Sequence, residues 1–347
     1  IMKINIITFF WSNNLGALIQ AFSLKTFVEN KFNISTKFNA YLPKKLVKRE
    51  RISQINKKNL NIFHKIFLKK IKLFYWKNKF LKCSFPEQKI NDYSDDLYIY
   101  GSDEIWNSQN PFFGFDPYFF GKDNPKKKIS YGASVGTTNY DNNNNIEQIK
   151  NCLARFEKIS VRDKSSQNLV RHCVGINPPI VLDPCFLVNI DTIIKKKIDY
   201  DFENEKYILI YGDYFHSHQI DEIKKISRKN KWNIISISFY NNWADKNFIS
   251  ADPIDLIQFI INSNLVFTSM FHGVMLSYKY KKQFWISEDP YRINKLSYFV
   301  DYFGLKKRYL ENIDKSLIDY KNYDNKFSDL LNLSKNFLIK NIYYSFK

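Results

Sequence analysis

Short apolar runs alternate along the chain with longer segments in which apolar residues recur every three or four positions. Residues 3–10 are the first run, rich in Ile and Phe and strand-like. A polar turn, WSNNLG, follows, then a helical pattern over 17–32 and a second strand over 33–38. The alternation predicts further strands at 97–100, 129–131, 159–161 and 181–182, with helices over 146–156 and from Ser165 onward. After a charged stretch at 195–205 it restarts, with strands at 207–211, 233–239, 265–267 and 283–286. Helical patterns at 220–230, 255–262 and from Val274 separate these strands, and another covers 327–346. Unbroken apolar strands separated by helices are what a parallel sheet covered on both faces requires. The expected class is therefore α/β, with an N-terminal Rossmann-like domain over 1–195 and a second over 205–310. A helical segment, 311–347, completes the chain.

The polar residues that end these strands carry the candidate chemistry. Asn13, Asn14 and Gly16 lie in the first βα turn, and Asp103 and Glu104 end the strand at 97–100. Arg162-Asp163 and Asp183-Pro184 end the predicted strands at 159–161 and 181–182 with polar tips. In open α/β sheets ligands bind beyond the carboxyl ends of the strands, so all of these project toward one edge. No GxGxxG fingerprint accompanies them. The segment 267–285, FTSMFHGVMLSYKYKKQFW, is the most informative, because Ser269, Met270, Phe271, His272 and Gly273 stand where a helix begins. A helix start offers free N–H groups and partial positive charge to an anion, and histidine is the side chain best suited to move a proton near neutral pH. From the residues alone two readings remain open. One is a site that binds phosphate and transfers protons. In the other, Ser269 is an N-cap, His272 a core histidine, Arg162 a surface partner of Asp163, and Asn13, Asn14, Gly16 and Asp103 turn or cap residues.

Composition narrows the picture only in places. With 347 residues and 44% hydrophobic content the chain can fill two cores. The formal net charge of +19 is mostly lysine in an Asn-rich chain, so it does not by itself indicate a partner. It is concentrated at 44–82, an insertion with fourteen Lys or Arg against the single acid Glu50. The second half of that insertion, LNIFHKIFLKKIKLFYWKNKFLKC, is basic, aromatic and amphipathic. It fits a helix packed on the sheet with a solvated lysine face, or one lying on an anionic membrane surface. No nucleic-acid-binding motif accompanies it. Cys83, Cys152, Cys173 and Cys185 are scattered and read as thiols of a reducing compartment. The start, MKINIITFFW, reads as a strand with no leader cleavage site, and no stretch reaches the roughly 20 apolar residues of a membrane span. A cytoplasmic protein, free or at the inner face of a membrane, is expected. No acid or histidine pattern has metal-ligand spacing.

Seven segments taken in order carry a resemblance. They are NNLGALIQAF at 13–22, GSDEIWN at 101–107, SYGASVG at 130–136, ISVRDKSS at 159–166, VLDPCFL at 181–187, FTSMFHG at 267–273 and DPYRINKLSYFVDYFGLKKR at 289–308. Over about residues 5–308 the set resembles the polysaccharide pyruvyl transferases. The resemblance implies a GT-B-like fold, two Rossmann-like domains facing across a cleft. It implies transfer of the pyruvyl group of phosphoenolpyruvate to two hydroxyls of a sugar in a capsule, exopolysaccharide or similar polymer, free or lipid-linked, forming a cyclic ketal and releasing phosphate. No cofactor is implied beyond that donor. His272 and Asp103 match the family's catalytic positions. Arg162, Ser269, Met270, Phe271, His272 and Arg292 are expected at the donor, and Asn13, Asn14, Gly16, Asp103 and Glu104 at the acceptor. Many members carry an arginine where this chain has Met270, and Arg292 is the expected substitute cation. The alternative in the same fold is a glycosyltransferase using a nucleotide sugar, and a third reading is a non-catalytic membrane-surface scaffold.

Overall fold

A computed structural model describes residues 2–39, 41, 43, 60–82, 93–111, 113–138, 143–196, 198–291, 293–310 and 316–346. Arg292, Cys83 and the first part of the basic insertion, 44–59, lie outside the described residues.

The first sheet contains β1 (Ile4–Ile7), β2 (Thr36–Phe38), β3 (Leu97–Tyr100), β4 (Lys127–Ala133) and β5 (Lys158–Val161). All neighbours are parallel, in the order β2-β1-β3-β4-β5. Every residue of β1 and β3 is buried, which follows from helices on both faces. Ile4, Ile6, Leu97, Ile99, Ile129 and Tyr131 pack on one side with Leu24 and Val28 of α1 (Leu15–Phe32). The opposite side, with Ile7, Tyr98 and Tyr100, meets the basic insertion's downstream neighbours: the helices at Ile146–Leu153 and Lys164–Val174.

The insertion itself folds as α2 (Leu60–Trp76), continued by a π-helical turn at Lys77–Leu81. The two helices after β4 and β5 are α3 (Ile146–Leu153) and α4 (Lys164–Val174).

The second sheet, also all parallel, runs β10-β9-β6-β7-β8. Its strands are β6 (Tyr207–Tyr211), β7 (Asn233–Ile237), β8 (Lys246–Phe248), β9 (Leu265–Thr268) and β10 (Phe284–Ile286). Ile223 of α5 (Ser217–Asn230) packs with Ile208, Ile210 and Phe267 on one face. α6 (Pro253–Asn262), α7 (Phe271–Lys279) and α8 (Ile293–Tyr302) cover the other. Counted within each domain, the strand orders are 2-1-3-4-5 and 3-2-1-4-5, the two common doubly wound arrangements. Each has a switch point where the order reverses: between β1 and β3, and between β6 and β9.

α1 is buried around almost its whole circumference, so it lacks a polar stripe. Leu18, Ile19 and Phe22 share one core with Tyr207, Leu209 and Tyr211 of the second sheet and with Ile254 and Val274 of α6 and α7. The final helix, α9 (Asp324–Ser345), returns to the first sheet, where Leu338 and Ile342 close its core.

Several elements differ from the sequence reading. β1 stops at Ile7 because the chain turns toward the cleft, with Phe10 N donating to Thr8 O. Residues 181–182 do not form a strand. Val161 and Ile180 make a single bridge, and Leu182 N donates instead to Ser334 Oγ of α9 at 2.8 Å. β8 and α8 carried no usable pattern, β8 being a three-residue edge strand of intermediate burial.

Because α1 belongs to both cores, Leu18→Ala is expected to cost about 2–5 kcal/mol. The whole chain should unfold in one step, with tryptophan fluorescence and far-UV circular dichroism giving coincident denaturant transitions. Two separated transitions would show that α1 does not join the domains.

Candidate active site

The two loops of the first switch point, after β1 and β3, are knitted together before they reach the site. Thr8 Oγ1, beyond β1, donates to Ser102 O beyond β3 at 2.9 Å, and Gln20 Nε2 of α1 donates to Thr8 Oγ1. Asp103 follows with φ 74°, a left-handed conformation that Asp tolerates better than most residues. Its carbonyl accepts from Ser134 N at 2.9 Å and its Oδ1 from Glu104 N at 2.8 Å. The carboxylate is thereby presented at the cleft.

Arg162 follows β5 and is wholly buried. Its Nη1 donates to Asp183 Oδ2 at 2.8 Å and its Nη2 lies 3.5 Å from Asp103 Oδ1. Phe271 stacks on the guanidinium, ring centroid to Cζ 4.2 Å. Burial works against the charge on Arg162. The carboxylates of Asp103, Asp183 and Asp163 outweigh it and hold the proton more firmly than in an ordinary arginine. Arg162 is thus not a surface partner of Asp163. Asp163 caps α4, accepting from Ser166 N and Ser166 Oγ, and also takes a hydrogen bond from Ser134 Oγ at 2.6 Å.

Asp183 joins the two halves of the site. Its Oδ2 faces Arg162, and His272 Nε2 of α7 stands 3.5 Å from the same oxygen. Burial alone would raise its pKa. His272 and then Arg162 reverse that and hold the carboxyl well below the usual carboxylate range. His272 is 5% exposed. A Cβ on Gly16 would lie 2.2 Å from His272 Nδ1, so glycine near the start of α1 is what lets the ring sit against that helix. Among the described residues, His272 Nε2 and Arg162 Nε are buried without a hydrogen-bond partner. Such atoms call for an explanation, and a ligand is one.

Across the cleft, Lys295 of α8 donates from Nζ to Glu104 Oε2 at 2.8 Å. The same oxygen accepts from Tyr291 Oη and Asn107 Nδ2, each at 3.2 Å. Lys295 is 7% exposed and lines a small cavity together with Arg162, Asp183, Phe271 and Tyr298.

Of the residues singled out from sequence, Asp103, Arg162, Phe271 and His272 come together here. Gly16 backs the histidine, and Glu104 is held by Lys295. Asn14 caps α1, its side chain accepting from Gly16 N at 3.0 Å, and Asn13 Oδ1 accepts from Lys77 Nζ at 3.3 Å. Met270, not Ser269, occupies the cap position of α7, and Thr268 Oγ1 accepts from its N–H. Ser269 instead anchors the loop after β6, its Oγ accepting from Tyr214 N at 3.4 Å beside Gly212. Sequence reading assigned no role to Asp183 or Lys295. Asp183 carried the available signal, a carboxylate at the tip of an apolar run. Lys295 carried none, being one lysine among many. Among the described residues no group of three or more His, Cys, Asp or Glu is arranged to hold a metal ion.

This geometry can be set beside known proteins. The polysaccharide pyruvyl transferase family matches residues 14–287. No curated protein matches the chain in sequence. Among solved structures, UDP-GlcNAc 2-epimerase from Neisseria meningitidis, bound to UDP-GlcNAc, superposes with a TM-score of 0.53 at 10% identity, over 99% of this chain and 100% of its own. The heptosyltransferase WaaC of E. coli covers 84% of this chain and 91% of its own at 10% identity, with a TM-score of 0.37. At such identities the likeness concerns the fold alone, and the fold is GT-B. With four fifths of the sequence matched and the matched loops converging at both switch points, the chain belongs to the polysaccharide pyruvyl transferase family.

Proposed function

We propose that the protein transfers the pyruvyl group of phosphoenolpyruvate to two hydroxyls of one sugar in a surface polysaccharide or its precursor. The observation that carries this reading is the Arg162–Asp183–His272 bridge, a fixed cation and a histidine sharing one ionised carboxylate inside the cleft. The donor bears a carboxylate and a phosphate, and Arg162 suits either through a bidentate grip. Lys295 shares its cavity and supplies a second cation. That supports Lys295 as the substitute for the arginine many members have at Met270, beside the earlier candidate Arg292.

The chemistry balances without a cofactor. The enol methylene takes a proton, C2 becomes an oxocarbenium ion, and the first sugar hydroxyl adds to it. The C2–O bond to phosphate then breaks and the second hydroxyl adds. The diol loses two protons: one ends on the new methyl group and one leaves with phosphate. In this reading His272 carries these protons, Asp183 orients the ring, and Asp103 receives the acceptor hydroxyl.

His272→Ala should lower phosphate release in the presence of acceptor about a hundredfold to ten-thousandfold, with the fold retained by far-UV circular dichroism. Full turnover in this variant would end the proton-transfer role. Lys295→Met should raise the KM for phosphoenolpyruvate about tenfold or more, with a smaller effect on kcat and partial rescue in Lys295→Arg. An unchanged KM would remove Lys295 from the donor site. In thermal shift, phosphoenolpyruvate is expected to stabilise the protein and UDP-sugars are not. The reverse pattern would favour a nucleotide-sugar glycosyltransferase, the activity class of its heptosyltransferase neighbour.

A further inference from the structure

The helix of the basic insertion carries large apolar residues on its outer side as well as its inner one. Phe63, Phe67, Ile71 and Phe74 recur at helical spacing along α2, and Leu68 and Tyr75 widen the stripe. All six are exposed, Phe67 to 54% and Tyr75 to 67%. The face turned inward holds Leu73 and Trp76 in the core, joined by Leu81 and the half-buried Phe80 of the following turn, and Ile62 and Ile66 are half-buried. Lysines complete that inner attachment. Lys72 pairs with Asp255, Lys69 Nζ donates to Ser238 Oγ at 2.6 Å, and Lys77 Nζ donates to Trp11 O at 2.6 Å. The helix is therefore held on the protein by an apolar face and by lysine contacts, while a second stripe of six large apolar residues faces out. Lys65 and Lys79 are exposed, so the solvated lysines expected of this helix are present, but they share that side with the aromatic stripe.

We infer that α2 is an interfacial helix that seats the protein on an anionic lipid bilayer. The stripe is rimmed by Lys65, Lys70 and Lys79, and no acid occurs between Leu60 and Lys82. Aromatic residues in the acyl boundary with lysines at the headgroups is the arrangement such helices adopt. Charge also selects the occupant: a second copy docked symmetrically would set this lysine rim against itself. Among the described residues no helix is long and apolar enough to cross a membrane, so α2 lies on the surface. The contacts of Lys77 with Trp11 O and Asn13 Oδ1 tie this seat to the βα turn at the cleft. A seated enzyme would hold its cleft beside the lipid surface, where a lipid-anchored acceptor is presented. That consequence rests on the proposed function, but the seating does not.

The test is co-sedimentation of the full chain with phosphatidylglycerol–phosphatidylcholine vesicles and with phosphatidylcholine vesicles, at low and high salt. Binding is expected to the anionic vesicles and to fall with salt. It should weaken about fivefold in Lys65→Gln, and about tenfold or more in the double variant Phe67→Ser, Phe74→Ser at unchanged Tm. Phosphate release from a soluble acceptor should be unaffected in these variants, which separates failure of the seat from failure of the reaction. Negligible binding to both vesicle types at low salt would overturn the inference. So would anionic binding that the double variant leaves intact. A dimer in sedimentation velocity that the same variant disperses would assign the stripe to a second copy instead.

Discussion

A guanidinium with no access to water dominates the arrangement of this protein. Arg162 can remain charged in the interior only if carboxylates meet it, and leaving such a charge without its partner typically costs about 3–5 kcal/mol. Asp183 and Asp103 meet it from two different loops of the first domain. Asp183 then reaches His272 in the second. The electrostatic balance of one side chain thus fixes the relative position of four chain segments, and it does so at the junction of the two sheets. The same balance leaves Arg162 Nε without a hydrogen bond and gives His272 Nε2 only the 3.5 Å ion-pair contact with Asp183, so structural and chemical demands fall on the same groups.

Packing makes that junction stiff. α1 is apolar nearly all round because it lies between the sheets, and its first turn touches the histidine through Gly16. The two switch points, after β1/β3 and β6/β9, therefore face each other across a wall that both domains share. The GT-B fold is shared with an epimerase, so the fold by itself does not choose a reaction. What distinguishes this chain is the residues at the strand tips: a carboxylate, a buried arginine, a buried histidine, and a lysine reaching in from α8. Met270 packs as an apolar residue at the head of α7, and the small cavity lined by the next residue, Phe271, draws its positive charge from Arg162 and Lys295.

The basic insertion shows how periodicity can mislead. The spacing of Ile62, Ile66, Ile71 and Phe74 announces a helix, and it is one. The usual inference that the apolar residues face the core holds only in part: Ile62 and Ile66 are half-buried, Ile71 and Phe74 are exposed, and Lys69, Lys72 and Lys77 find specific oxygen partners on the body of the protein. Long lysine stems can cover apolar surface while their ammonium groups reach such partners.

The sequence by itself determined the class, the alternation of strand and helix, the family, and the strand-tip positions of Asp103, Arg162 and His272. These are local matters: an unbroken apolar run of four or five residues states that both its faces are covered, and the residue after it must lie at the sheet edge. The tertiary structure alone decided which tips meet. Nothing near Asp183 in sequence says that it will bridge an arginine 21 residues away and a histidine from the other sheet. Nothing near Lys295 marks it among the other lysines as the one that crosses the cleft to Glu104. Residues 181–182 had a strand's composition, yet Ser334 from the last helix took the hydrogen bond a strand neighbour would have used. Pairings of this kind depend on three-dimensional closure, and a one-dimensional pattern carries no term for it.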